Sequence, residues 1–205
     1  MVTRCLSNVL LKQRTTSPFV VQKQTNLYQR WSDINFDKTN NQLPEAEQPN
    51  YNFLKLWGIT DLENKSYVPL EGYNQSKVAN LLFSISTNKK VYDKYGILSF
   101  AVHPGVIKTE LGRNSAPELI DSIDSMREKG IFSYRSLEAG ASTILVAALD
   151  PKLGPGEVKD GKDNYGTFLT DCQITNAAHP LAVSNDEADR LWQLSENLVK
   201  EKFSW

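Results

Sequence analysis

The sequence predicts an α/β protein built on an open sheet, and three stretches carry that expectation. Residues 72–92 read as one long helix, in which Val78, Ala79, Leu81, Leu82 and Ile85 form a wide apolar stripe. Residues 97–102 are a short apolar run that suits a buried strand, closed by the tight turn His103-Pro104-Gly105. Residues 167–174 read as the last strand, after a helix over residues 137–149 that Ser136 caps and Pro151 ends. In open α/β sheets, ligands bind at the carboxyl ends of the strands. That rule points to residues 103–109.

Before the long helix the chain changes character more than once. Residues 1–32 hold Arg4, Lys12, Arg14, Lys23 and Arg30, with no Asp or Glu. That composition fits a mitochondrial transit peptide. The same stretch also fits remnants of regular structure, a helix over residues 8–12 and the start of a strand over residues 17–21. Residues 37–49 are polar and contain Pro44 and Pro49, the pattern of a surface loop. Residues 51–62 suit a short helix or irregular cover, and Val68-Pro69 introduces the long helix.

Beyond the second strand, residues 112–134 form an insertion around Ser115-Ala116-Pro117 and a charged stretch over residues 121–129. It reads as a mobile cover or as a plain surface helix. Leu153-Gly154-Pro155-Gly156 reads as a loop, because Pro155 removes a backbone donor. Ser184-Asn185-Asp186-Glu187 is a capping box that opens a final amphipathic helix. Leu191, Leu194, Leu198 and Phe203 are its expected core positions.

Composition narrows the function classes. The 205 residues are 40% hydrophobic and 23% charged, ordinary for a globular fold, and allow one domain with a real core. A net charge of -1 gives no electrostatic reason to expect nucleic acid or an anionic membrane as partner. Cys5 and Cys172 lie far apart, which suggests a reduced compartment without a disulfide framework. With only His103 and His179 beside them, no recognised zinc spacing arises, so no metal is expected. No apolar run reaches the ~18 residues of a spanning helix.

The chemistry sits in Tyr73-Asn74-Gln75-Ser76-Lys77. A tyrosine and a lysine four residues apart lie one above the other on a helix. A free phenol titrates near ~10, and a cation held close favours its ionised form. The pair therefore suits a general acid/base that moves a proton on or off an alcohol oxygen. Spacing alone is weak evidence, since Tyr51 and Lys55 repeat it with nothing around them to support a site. Tyr73 and Lys77 differ in being followed by a strand and by His103-Pro104-Gly105-Val106-Ile107-Lys108-Thr109.

Tyr73, Ser76, Lys77, Ala79 and Asn80, followed by His103-Pro104-Gly105 and Thr109, resemble the motifs of the short-chain dehydrogenase/reductase family. The likeness is to its retinol-dehydrogenase-like branch and fungal relatives. Glu138-Ala139-Gly140-Ala141, Ala147-Ala148-Leu149-Asp150-Pro151, residues 165–169, residues 191–196 and the upstream residues 30–36 are similar too. The resemblance implies the C-terminal part of a doubly wound Rossmann-type parallel sheet, N-terminally truncated. It implies a single partial domain over residues 1–205, with residues 1–32 degenerate or non-native. It also implies an NAD(P)-dependent oxidoreductase that interconverts an alcohol and a carbonyl on a small lipophilic substrate. Tyr73 would exchange the proton, and Lys77 would tune it and bind the nicotinamide ribose. Pro104, Gly105 and Thr109 would meet the nicotinamide end of NADP or NAD, with NADP favoured. Apolar residues such as Leu119, Ile120, Ile131 and Phe132 would face substrate. A homodimer through the Tyr73-containing helix is the family default, beside the reading of that helix's apolar stripe as plain core; the expected location is cytoplasmic.

Two of the chain's departures from the family bear most directly on cofactor and substrate. No glycine-rich turn opens a helix near the start, the first glycine being Gly58. The substrate-holding serine is replaced around Gln24-Thr25-Asn26, where Thr25 is the one residue with a hydroxyl. Three readings follow: an oxidoreductase whose nucleotide half comes from elsewhere, an inactive descendant that serves as a dimerisation partner, or a fragment of a gene.

Overall fold

The computed structural model describes residues 9–10, 39–43, 48–49 and 51–204. In chain order the elements are strand β1 (Val9–Leu10), helix α1 (Tyr51–Leu56), helix α2 (Pro69–Tyr95) and strands β2 (Leu98–Ser99) and β3 (Ala101–His103). Helices α3 (Pro117–Glu128) and α4 (Leu137–Leu149) follow. Strands β4 (Glu157–Lys159), β5 (Lys162–Tyr165), β6 (Phe168–Thr170) and β7 (Gln173–Ile174) precede the last helix, α5 (Asn185–Val199). β1 runs parallel to β2, β3 runs parallel to β6, and β7 returns antiparallel along β6. The fold is mixed α/β with parallel pairing at its centre, as expected. Among the described residues, no helix is long and apolar enough to cross a membrane.

α2 organises the molecule. Pro69 occupies its first turn, where a missing N–H removes no hydrogen bond and a fixed φ favours the helix. It ends at Gly96, which adopts φ 66 and donates to the Tyr92 carbonyl. Glu71, Asn74, Val78, Leu81, Leu82 and Ile85 repeat every three or four residues and are buried. From Ser84 to Asn88 every residue is buried, so the middle of the helix has no open face. There the Ser86 hydroxyl donates to the Ala188 carbonyl of α5 at 2.7 Å.

Asn88 carries a second cross-link. Its amide donates to the Ser99 carbonyl at 2.9 Å and accepts from the Ser99 N–H at 2.7 Å. Ser99 pairs with Leu10 of β1 and β6 begins only opposite Ala101, so the Asn88 side chain satisfies backbone groups of Ser99 at the start of the sheet.

The sheet separates two cores by the alternation of its side chains. Ala101 and Phe168 join Val78, Leu81, Leu82, Ile85, Ala188 and Leu191 on the α2–α5 side. Phe100, Val102 and Leu169 face Ala147 of α4 on the other. A satellite cluster of Leu54, Leu62 and Val68 lies under α1.

Several expectations are corrected. Val9–Leu10, expected as a helix remnant, is a strand because the edge at Leu98–Ser99 offers it a ladder. In the expected surface loop over residues 37–49, Asn40 and Pro49 are buried, and Asn40 donates to the Leu62 carbonyl at 2.6 Å. The last strand is broken: Asp171 and Cys172 take φ 55 and 61 and turn β6 back into β7. The β4–β5 hairpin turns at Asp160 and Gly161, with φ 52 and 71. Leu198 and Phe203, expected in the core, are exposed at and beyond the end of α5. The expected strand over residues 17–21, the motif over residues 30–36, and Cys5 lie outside the described residues.

Candidate active site

Tyr73 and Lys77 stand half-buried on the second and third turns of α2. The Lys77 ammonium lies 4.8 Å from the centroid of the Tyr73 ring. That is within the range of a cation over a ring face, and the four-residue helical spacing alone produces it. Between them, the Ser76 hydroxyl donates to the Tyr73 carbonyl at 2.7 Å.

The start of α2 stands beside the carboxyl end of β3. Val78 and Ala101 share one core. One turn back along the helix from Val78 is Asn74, and two residues on from Ala101, on the same strand face, is His103. Both are buried, and among the described residues neither the Asn74 Nδ2 nor the His103 Nδ1 has a hydrogen-bond partner. Burial lowers the His103 imidazole to about 4. Asp171 pulls the value back up and Arg135 pushes it further down. His103 is neutral at neutral pH.

The turn after His103 is built from both sides. Pro104 is buried, and Gly105 takes φ +88, a conformation that side chains resist. A side chain at Gly105 would also strike the stem of Arg135. The Arg135 N–H donates to the Val106 carbonyl at 2.8 Å, and the Arg135 guanidinium pairs with Asp171. Thr109 is exposed beyond the turn.

Tyr73 and Lys77 are thus together, and Pro104 and Gly105 lie at the strand end that their helix flanks. Thr25 lies outside the described residues. Sequence reasoning missed Arg135, Asp171 and the buried Asn74. Arg135 and Asp171 belong to segments joined only by the fold, and the one local signal was an acidic residue ending an apolar run. In the insertion, α3 packs close enough at Gly58 to leave no room there for a side chain beside Ser122. Ile120 and Ile131 remain exposed, and Phe132 meets Tyr134 edge-on at 5.7 Å.

Proteins similar to this chain bear the names of dehydrogenases and oxidoreductases. A chloroplastic short-chain dehydrogenase of Brassica napus, TIC 32 A, is 32% identical over 135 residues, 65% of this chain and 38% of its own length. Human retinol dehydrogenase 12 is 33% identical over 140 residues, 68% of this chain and 40% of its own. Human retinol dehydrogenase 14 is 27% identical over 191 residues, 93% of this chain and 46% of its own. No family model matches the chain. The chain belongs to the short-chain dehydrogenase/reductase family. It spans less than half the length of these curated relatives.

Proposed function

We propose that this chain carries the proton-transfer half of an NAD(P)-dependent oxidoreductase that interconverts an alcohol and a carbonyl on a small lipophilic substrate. The observation that carries the reading is the Lys77 ammonium 4.8 Å from the Tyr73 ring, on a helix that flanks the Gly105 turn. Relatives named as dehydrogenases and oxidoreductases support it.

The residues present fit the nicotinamide end of such a cofactor. Gly105 presents backbone without a side chain in a left-handed turn, the neighbouring Pro104 is buried, and Thr109 is an exposed residue that carries a hydroxyl. Lys77 and Tyr73 would hold the adjoining ribose. A bound nicotinamide would supply or accept the hydride.

The protein's own task is the proton. The Tyr73 hydroxyl would donate to the substrate oxygen during reduction and accept from it during oxidation. The Lys77 cation would stabilise the phenolate that each donation leaves. The exposed Ile120 and Ile131 of the insertion suit a lipophilic substrate. Thr25 would hold the substrate oxygen in this reading.

Tyr73→Phe tests the assignment, because it removes the acid and keeps the ring. Carbonyl reduction, followed by NAD(P)H oxidation, is expected to fall by roughly two to four orders of magnitude. Unchanged turnover removes Tyr73 from the role. Melting the protein with NADP(H) and NAD(H) in parallel distinguishes the two dinucleotides, since only a bound ligand raises the transition.

A further inference from the structure

We propose that Arg135 and Asp171 form a strut that sets the position of the Pro104-Gly105 turn, which makes Arg135 a positioning residue for the dinucleotide. The dinucleotide half of this statement rests on the function proposed above. Neither residue belongs to the motifs that mark the family.

Arg135 and the turn are tied together by a set of contacts. The Arg135 N–H donates to the Val106 carbonyl at 2.8 Å, and Ile107 pairs with Arg135 as a parallel bridge. The Ile107 side chain then fills the space that a side chain at Gly140 of α4 would need. The stem of Arg135 crosses Gly105 where a Cβ would stand. Its guanidinium pairs with Asp171, in the two-residue turn between β6 and β7.

That second turn is itself anchored. The Cys172 N–H donates to the hydroxyl of Thr143, a buried residue of α4, at 3.1 Å. A rigid path therefore runs from α4 through Thr143, Cys172 and Asp171 to Arg135 and Gly105. Both charged partners are half-exposed, and such pairs contribute little to global stability. The geometric role explains why this pair spans the site. His103, the last residue of β3, lies close enough to feel both charges.

The test uses Arg135→Met, which keeps much of the stem, Asp171→Asn, and Arg135→Lys as the conservative rescue. Backbone amide resonances of Gly105 and Val106 should shift, and their hydrogen exchange should quicken, in the first two variants. Arg135→Lys should restore most of both. Unaltered amides in Arg135→Met and Asp171→Asn overturn the strut, whether or not the protein binds a dinucleotide.

Where the wild type binds NADP(H) or NAD(H), both disruptive variants should weaken that affinity roughly tenfold or more. The rate at saturation and the melting temperature should stay close to wild type. Equal dinucleotide affinity in all four proteins overturns the positioning role. A wild type that binds neither dinucleotide overturns the proposed function instead, and the amides alone then decide the strut.

Discussion

Among the described residues, the two faces of the central sheet are covered unequally. On one face, α2, α5 and the short turn Pro180–Val183 close over Ala101 and Phe168, and three elements besides the strands contribute fully buried residues. On the other, α4 covers Phe100, Val102 and Leu169 and contributes Ala147 to their buried apolar cluster. The outer side of α4 keeps Leu137, Leu145 and Leu149 67%, 56% and 60% exposed. An all-round apolar helix is usually a buried one, and here it is buried on one side. The difference teaches where rigidity resides. Tyr73 and Lys77 ride on the densely packed helix, while the strut that holds Gly105 is anchored to the thinly covered one.

The sharpest way to break this comparison is to cut the dense face. Leu82 is 0% exposed, in the middle of α2. Leu82→Ala removes buried methyl groups and leaves a cavity, so a loss of about 2–5 kcal/mol is expected. Urea titration reads it directly as a lower midpoint. A loss below about 1 kcal/mol would mean that the α2–α5 face is as loosely packed as the other.

Next in size is a pH effect at the junction of the faces. His103 ionises at about 4 in the folded chain and at 6.5 when unconstrained, with burial as the leading cause. Between those values the unfolded chain binds a proton that the folded chain refuses. Stability is therefore undiminished above pH 6.5 and falls as the pH drops toward 4, by at most about 3 kcal/mol.

Glu196 acts in a lower window. The Phe203 N–H, followed by the Lys202 ammonium, draws its carboxyl down to about 2. Its stabilisation is complete above pH 4.5 and is lost as the pH falls toward 2. Denaturation of wild type and His103→Gln at pH 7 and pH 4.5 isolates the histidine. The variant should lose less stability between the two, and equal losses would mean that His103 is not held neutral by burial.

What could be read from the chain alone was what local chemistry determines. Ser136 and Ser184 cap α4 and α5 by accepting from Ala139 and Glu187, because a hydroxyl reaches the N–H three residues on in any helix. Tyr73 and Lys77 meet for the same reason of spacing. Where partners come from distant segments, nothing local announced them. Val9–Leu10 is a strand only because Leu98–Ser99 is beside it, and Arg135 finds Asp171 only once β3 and β6 are paired. Leu198 lies in the last turn of α5, which outruns the surface the helix packs on, and Phe203 lies past the left-handed cap at Lys200 that ends the helix. The Asp160-Gly161 turn was legible and passed over, since both residues favour the left-handed backbone it needs.

The smallest expected effect is the most discriminating for the thin face. Leu145 projects from α4 on the side away from the sheet and is more than half exposed. Leu145→Gln replaces apolar surface that water already reaches, and glutamine is nearly as good a helix former as leucine. The stability change should stay within about 0.5 kcal/mol, as for surface sites generally. The opposite result would be more informative. A loss well above about 1 kcal/mol would require Leu145 to leave water on folding, so the outer side of α4 would be covered in solution. In that case the two faces would carry comparable buried surface, and the inequality between them would belong to the chain in isolation.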